Sequence, residues 1–217
     1  MVNTGREMLA QIITTMEQTL TGAVQSGDKT SAMQTGEALL EAYTDLDELV
    51  GCDWSFLIGP WIADAKKWAN ASDAPENYYE WMARSQVSTW WPVAPADAAK
   101  QTKNFTSGPP LDGVREILFC VHASLTLQAS RGFQYANKHW NGLVGDFYKA
   151  RVQCYVDQVK LMKADAESFD TAKMTECAIK AELAFTQGTD KQYSEVPTTD
   201  KTLPMSKMLL DKYKKYF

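Results

Sequence analysis

Carboxylates, imidazoles, thiols and indoles are the groups in this 217-residue chain with chemistry to offer. Asp45, Asp47 and Glu48 fall within four positions, close enough to resemble a carboxylate pair for acid–base work. Leu46 and Leu49 alternate with them, and that pattern puts the acids on the wet face of an amphipathic helix. His122 lies in an apolar segment near Cys120, and His139 precedes Trp140. Neither has a Cys, Asp or Glu at ligand spacing, so both read as structural. Cys52, Cys120, Cys154 and Cys177 show no Cys-x-x-Cys spacing and read as small buried hydrophobes, with one disulfide left open for an exported chain. There is no Gly-x-Ser-x-Gly, no His-Glu-x-x-His and no glycine-rich phosphate loop. Neither a cofactor nor a metal site is expected.

The indoles are less evenly spread. All seven tryptophans fall between Trp54 and Trp140. Core packing is the default for aromatics at helical spacing, but adjacent Trp90 and Trp91 diverge by ~100° on a helix, so one must face a cleft, a partner or a loop. A flat indole stacks on the apolar face of a sugar ring or anchors an interface. Spacing alone favours packing or an interface. Asn70-Ala71-Ser72 and Asn104-Phe105-Thr106 are N-glycosylation acceptor triplets. The N-terminus shows no basic segment followed by an apolar stretch, so no signal peptide is expected.

The elements that carry these groups are helical. Twenty-two basic against 27 acidic side chains give a net charge of −5, which excludes a polybasic nucleic-acid or membrane surface. No apolar run approaches the roughly 20 residues of a membrane span. Met8, Leu9, Ile12, Ile13, Met16 and Leu20 form one apolar stripe, which Gly27-Asp28 ends. Thr30 or Ser31 is the expected cap of a second helix through Leu49. A third, over 53–68, is expected to bury Trp61 and Trp68, with Pro60 kinking it or starting it afresh. A fourth, opened by Asp73 and Pro75, runs to Trp90.

Residues 92–110 read as loop, and 114–125 as a helix, with a buried strand over 117–121 as the alternative. A long periodic pattern spans 136–162, and shorter helices cover 171–187 and 204–217 around a polar loop. Lys201, Lys207, Lys212, Lys214 and Lys215 read as cations favourable to the last helix dipole. The fold class is all-α, an irregular bundle of about seven helices in a single domain, 1–217.

Against that background one segment stands out. Tyr135-Ala136-Asn137-Lys138-His139-Trp140-Asn141-Gly142-Leu143-Val144-Gly145-Asp146-Phe147-Tyr148, with Arg151 beyond, resembles the "DYANKxWxGLvxdYYxPRw" signature of the α-N-acetylglucosaminidases, glycoside hydrolase family 89. In the same order, Asp45-Leu46-Asp47-Glu48-Leu49 through Phe56-Leu57-Ile58-Gly59-Pro60-Trp61 is similar to the family's "lDxlLasdxxFLLGxW". Tyr79-Glu80-Trp81-Met82-Ala83-Arg84 through Trp90-Trp91 is similar to "yexNaRxqlTlW", and the ending resembles "FLKYYPRW".

The resemblance implies the family's C-terminal all-α domain, which packs on a (β/α)₈ barrel. Both catalytic glutamates of this retaining glycosidase sit in that barrel, and no segment here corresponds to it, so the chain alone is expected to be inactive. Its implied role is to wall the cleft for a terminal α-linked N-acetylglucosamine, as in heparan sulfate, with Trp91 and Tyr135 lining it. Arg84 and Arg151 are implied to be structural pairing residues. The barrel, another protein chain or an N-acetylglucosamine-containing glycan is the implied partner, and the location lysosomal or secreted.

The departures are specific. Residues 92–131 are expected to be an inserted loop and helix where the family has a short loop. Gln134, Ala83 and Ala150 replace the family's aspartate, asparagine and proline. The alternative reading is a free-standing, non-catalytic binding or scaffolding protein that uses the inserted helix as its interface.

Overall fold

The first two helices set the frame. In the computed structural model, which describes residues 1–71, 74–88 and 138–216, α1 (Val2–Gln25) and α2 (Lys29–Val50) form a hairpin. Gly27, with φ +74°, turns the chain between them, and the α1 position Gly5 meets Leu49 at the far end of α2. The stripe read from sequence is the buried one: Leu9, Ile12, Ile13, Met16 and Leu20 are all within 5% of full burial. Each such aliphatic side chain stabilises the fold by about 1.5–3 kcal/mol. The cap of α2 is Asp28 rather than Thr30 or Ser31. Its carboxylate accepts from the Ser31 amide at 3.0 Å and the Ser31 hydroxyl at 2.6 Å, so the better acceptor takes the cap and the serine becomes its donor.

The expected third helix over 53–68 is three pieces. A turn at Trp54–Phe56, capped by Asp53, precedes α3 (Ile58–Lys66), and a second tight turn covers Lys67–Ala71. Pro60 sits in the first turn of α3, where its missing N–H is not needed. This break changes which indoles are inside. Trp61 is 40% exposed and Trp68 66% exposed, contrary to the expectation that both are buried. Ile58 and Ile62 take the inward face instead.

Beyond α4 (Glu76–Gln86), whose N-cap is Pro75, the described chain resumes at Lys138. Residues 138–142 are not helical. A wide helical turn, Val144–Tyr148, then leads into α5 (Lys149–Leu161), so the expected 136–162 helix starts at about Leu143 and Ala150 lies inside it. α6 (Thr171–Gln187), capped by Asp170, and α7 (Thr202–Tyr213) complete seven α-helices among the described residues. The all-α fold expected from the periodicity is the fold found: the described residues form no sheet, only an isolated bridge between Leu57 and Asn141.

Two apolar clusters hold the helices. The larger joins α1, α2 and α5 to Met174 and Ala178 of α6 and Leu209 and Tyr213 of α7. The smaller packs Ile58 and Ile62 of α3, Ala83 of α4 with Val87 just beyond its end, Leu143, Phe147 and Phe185. A Cys154–Cys177 disulfide ties α5 to α6, with Cα atoms 5.7 Å apart. Those two cysteines are therefore crosslinked rather than merely buried, while Cys52 is free and buried. Cys120, His122 and the expected inserted helix lie outside the described residues.

Candidate functional site

Asp47 organises the segment that carries the longest motif. Its Oδ1 accepts the backbone N–H of Gly142 at 2.7 Å and of Gly145 at 2.9 Å, and its Oδ2 accepts Asn141 Nδ2 at 3.0 Å. The same Asn141 amide also donates to the Asp47 carbonyl at 2.9 Å. A carboxylate here satisfies amides at a helix start that have no partner within the helix, and its charge suits that end of the dipole. Burial raises the Asp47 carboxyl above the usual range, with the Gly142 and Gly145 amides opposing it. Asn141 is fixed from the other side as well: its N–H donates to the Phe56 carbonyl at 2.7 Å and its carbonyl accepts from Ile58 N–H at 3.4 Å.

Gly142 is required by this geometry. Its φ is +89°, a region disfavoured for side chains, and a Cβ there would overlap the Tyr193 ring. Gly59 is required by contact, since a Cβ would overlap the Ser194 carbonyl.

Trp61 joins three elements. Its Nε1 donates to the Ala83 carbonyl of α4 at 2.9 Å, and its ring packs on Trp140 at 6.1 Å. Lys138 lies 5.9 Å over the Trp140 ring. Thus α4 and the residues just after the undescribed stretch both rest on one indole of α3. His139 Nδ1 accepts from Arg6 at 3.0 Å, and burial, then the Arg6 charge, lowers its pKa.

Behind this face runs a buried polar network. Arg84, 1% exposed, donates to Glu80 through Nε at 2.9 Å and Nη2 at 2.5 Å. It also reaches the Lys191 carbonyl at 2.9 Å and Tyr193 Oη at 3.4 Å. Tyr193 donates to Asp146 at 2.7 Å; burial, and after it this bond, pushes its phenol well above the usual range. Arg151 pairs with Glu182 at 3.0 Å. Both arginines are thus engaged in structural pairs. Glu17 accepts from Tyr43 at 2.7 Å, and burial lifts its carboxyl to about 7.

Asp45 overturns the wet-face reading. It is buried, accepting from Tyr213 Oη at 2.7 Å and Lys212 Nζ at 2.5 Å. Docking of α7 covers a helix face that the sequence pattern leaves open; Glu48 alone of the three acids is exposed. Lys212 is accordingly an ion-pair partner of Asp45 and Glu41, beyond any dipole effect. Trp90, Trp91, Tyr135 and Asn104 lie outside the described residues, and Asn70 is exposed on the Lys67–Ala71 turn. Asp47 is legible in the sequence only as part of an acidic cluster on a wet face, so its clamp on Asn141, Gly142 and Gly145 is missed, and Tyr193 lies in a loop that reads only as polar.

Residues 1–104 and 130–212 match the family of the α-N-acetylglucosaminidase C-terminal domain. The chain belongs to this family. Human α-N-acetylglucosaminidase is 23% identical over 209 residues, a match covering 96% of this chain and 23% of that protein. A family 89 glycoside hydrolase from Clostridium perfringens, in complex with its substrate GlcNAc-α-1,4-galactose, superposes with a TM-score of 0.65 at 18% identity. That match covers 99% of this chain and 21% of the bacterial one. The same bacterial enzyme in complex with PUGNAc gives a TM-score of 0.62 at 19% identity, covering 98% of this chain and 20% of that one. The chain therefore spans about a quarter or less of these relatives. In this chain, the Asp47–Asn141–Gly142 clamp and the Trp61–Trp140 contact hold the 45–61 segment and the 138–148 segment against each other.

Proposed function

We propose that the chain is the helical C-terminal part of an α-N-acetylglucosaminidase-like glycoside hydrolase, and that it walls the sugar cleft of a (β/α)₈ barrel that supplies the reactive acids. Retaining hydrolysis needs a nucleophile and an acid/base carboxylate ~5–5.5 Å apart across the scissile bond. The buried carboxylates among the described residues are committed elsewhere: Glu17 to Tyr43, Glu80 to Arg84, Glu182 to Arg151, Asp45 to Lys212 and Tyr213. In this reading Trp91 offers an indole face and Tyr135 a phenol hydroxyl to a terminal α-linked N-acetylglucosamine. The observation that carries the reading is the family match along nearly the whole chain, at about a fifth of the length of the bacterial enzyme bound to GlcNAc-α-1,4-galactose. The Trp61 contacts support it, because they hold α4 and residue 140, which flank the Trp91–Tyr135 stretch, against one side chain.

The location is lysosomal or secreted, which the Cys154–Cys177 disulfide supports. The test is turnover of an α-N-acetylglucosaminide by the purified chain: none is expected, and measurable hydrolysis overturns the division of labour. Trp91→Ala is expected to weaken N-acetylglucosamine binding with little loss of stability; a variant that unfolds instead assigns Trp91 to the core.

Residues 105–129, which the family match omits, favour a second reading in which the chain is a free-standing binding protein with that segment as its interface. Deletion of the segment then abolishes partner binding and leaves no glycosidase to impair.

A further inference from the structure

Asn70 opens the acceptor triplet Asn70-Ala71-Ser72 and is exposed on the turn Lys67–Ala71. It also lines an open groove of about 320 Å³ between α3, the start of α4 and residues 191–195. One wall is Ile62 and Lys66, with Glu76 at its edge; Gln192, Tyr193 and Glu195 form the other. Amide, ammonium and carboxylate groups beside the small residues Gly59 and Ala63 match the hydroxyls, acetamido group and C–H face of one sugar ring, while the Tyr193 hydroxyl is committed to Asp146. The volume falls at the lower end of ligand sites. Lys66 is not tightly committed, standing 3.4 Å from Glu80 and 3.7 Å from Glu76. Trp68, two residues before Asn70, lines a different, more apolar groove with Trp61, Tyr79 and Met82, so its indole is not the surface that Asn70 shares. An independent observation sets the compartment: the Cys154–Cys177 disulfide belongs to oxidising surroundings, as N-glycan addition does.

We propose that Asn70 is N-glycosylated and that the groove beside it seats the first N-acetylglucosamine of the glycan. The donor is an oligosaccharide linked to a lipid pyrophosphate. Asn70 Nδ2 forms a bond to sugar C1, the bond from C1 to the phosphate oxygen breaks, the lipid pyrophosphate leaves with the electron pair, and the amide loses one proton to a base. The seated sugar then bridges α3 and the 191–195 segment, adding to the contacts that Gly59 makes with Ser194 and that Tyr193 makes with the Ile58–Ile62 cluster. The inference is independent of whether the protein takes part in glycoside hydrolysis.

The test starts with protein purified from its native source and treated with peptide N-glycosidase in heavy-oxygen water. Conversion of Asn70 to a labelled aspartate supports the proposal; an unmodified Asn70 overturns it. Hydrogen exchange then reads the seating. Amides of residues 191–195 should exchange about fivefold more slowly in the glycosylated chain than in Asn70→Gln, the effect of one net hydrogen bond. Asn104→Gln serves as the control and should leave that segment unchanged. Equal exchange with and without the Asn70 glycan, in variants with parental circular dichroism, overturns the seating.

Discussion

Removing the Asp47 carboxylate tests how the motif segment is held. Asp47→Ala leaves the N–H groups of Gly142 and Gly145 and one N–H of Asn141 without their acceptor. Hydrogen bonds to a charged group are worth about 1.5–3 kcal/mol each, and a half-buried site takes the low end. The expected loss is ~3–5 kcal/mol, or roughly 6–20 °C in Tm for a chain of this size. Asp47→Asn separates the contributions, because both glycine amides bond Oδ1, which an asparagine keeps. Only Oδ2, facing Asn141, becomes a donor against a donor, so this variant should lose about 1–2 kcal/mol. Urea denaturation followed by far-ultraviolet circular dichroism gives both values. Should Asp47→Ala fall within about 1 kcal/mol of the parent, or match Asp47→Asn, the carboxylate is not what fixes the segment.

Three further outcomes follow from buried groups. Glu17 titrates near 7 in the fold against about 4.5 when exposed, so the folded state holds a proton that the unfolded chain releases. That contribution is complete below the unfolded pKa and is lost as pH rises through about 7, weakening the fold by up to ~3 kcal/mol. Glu17→Gln should flatten this part of the profile, and a variant with the parental pH slope would exclude Glu17 as its source. Cys154→Ser with Cys177→Ser opens a crosslink spanning 23 positions, and the chain-entropy relation gives a loss of about 3 kcal/mol in denaturant titration. An unchanged midpoint would show that the bridge adds nothing. Gly142→Ala combines a positive φ with overlap of the Tyr193 ring, and should cost ~2–4 kcal/mol by thermal unfolding; a neutral result would refute the assigned backbone conformation.

What was legible in the sequence depended on whether one element or several decided the outcome. The α1 stripe from Met8 to Leu20 needs only a single helix and its period, and it is buried as read. The motif order placed Asp47 ahead of Asn141 and Gly142, yet the bond between them needs two segments 94 residues apart and is invisible to spacing. Asp45 was misread for the same reason: its burial is imposed by Tyr213 and Lys212 of α7. Trp61 and Trp68 read as core because 53–68 has helical period throughout, but the turns at either end of α3 rotate the indoles outward. The Cys154–Cys177 pairing rests on α5 lying against α6, which no cysteine spacing encodes.

Intact mass and glycosidase assay of the native polypeptide that carries these helices address the central claim most directly. Captured through an antibody to the α1–α2 hairpin, it should be several hundred residues longer than 217 and should hydrolyse a para-nitrophenyl α-N-acetylglucosaminide. A native product of 24.3 kDa that hydrolyses that substrate by itself would contradict it, as would one that associates with no barrel-bearing chain.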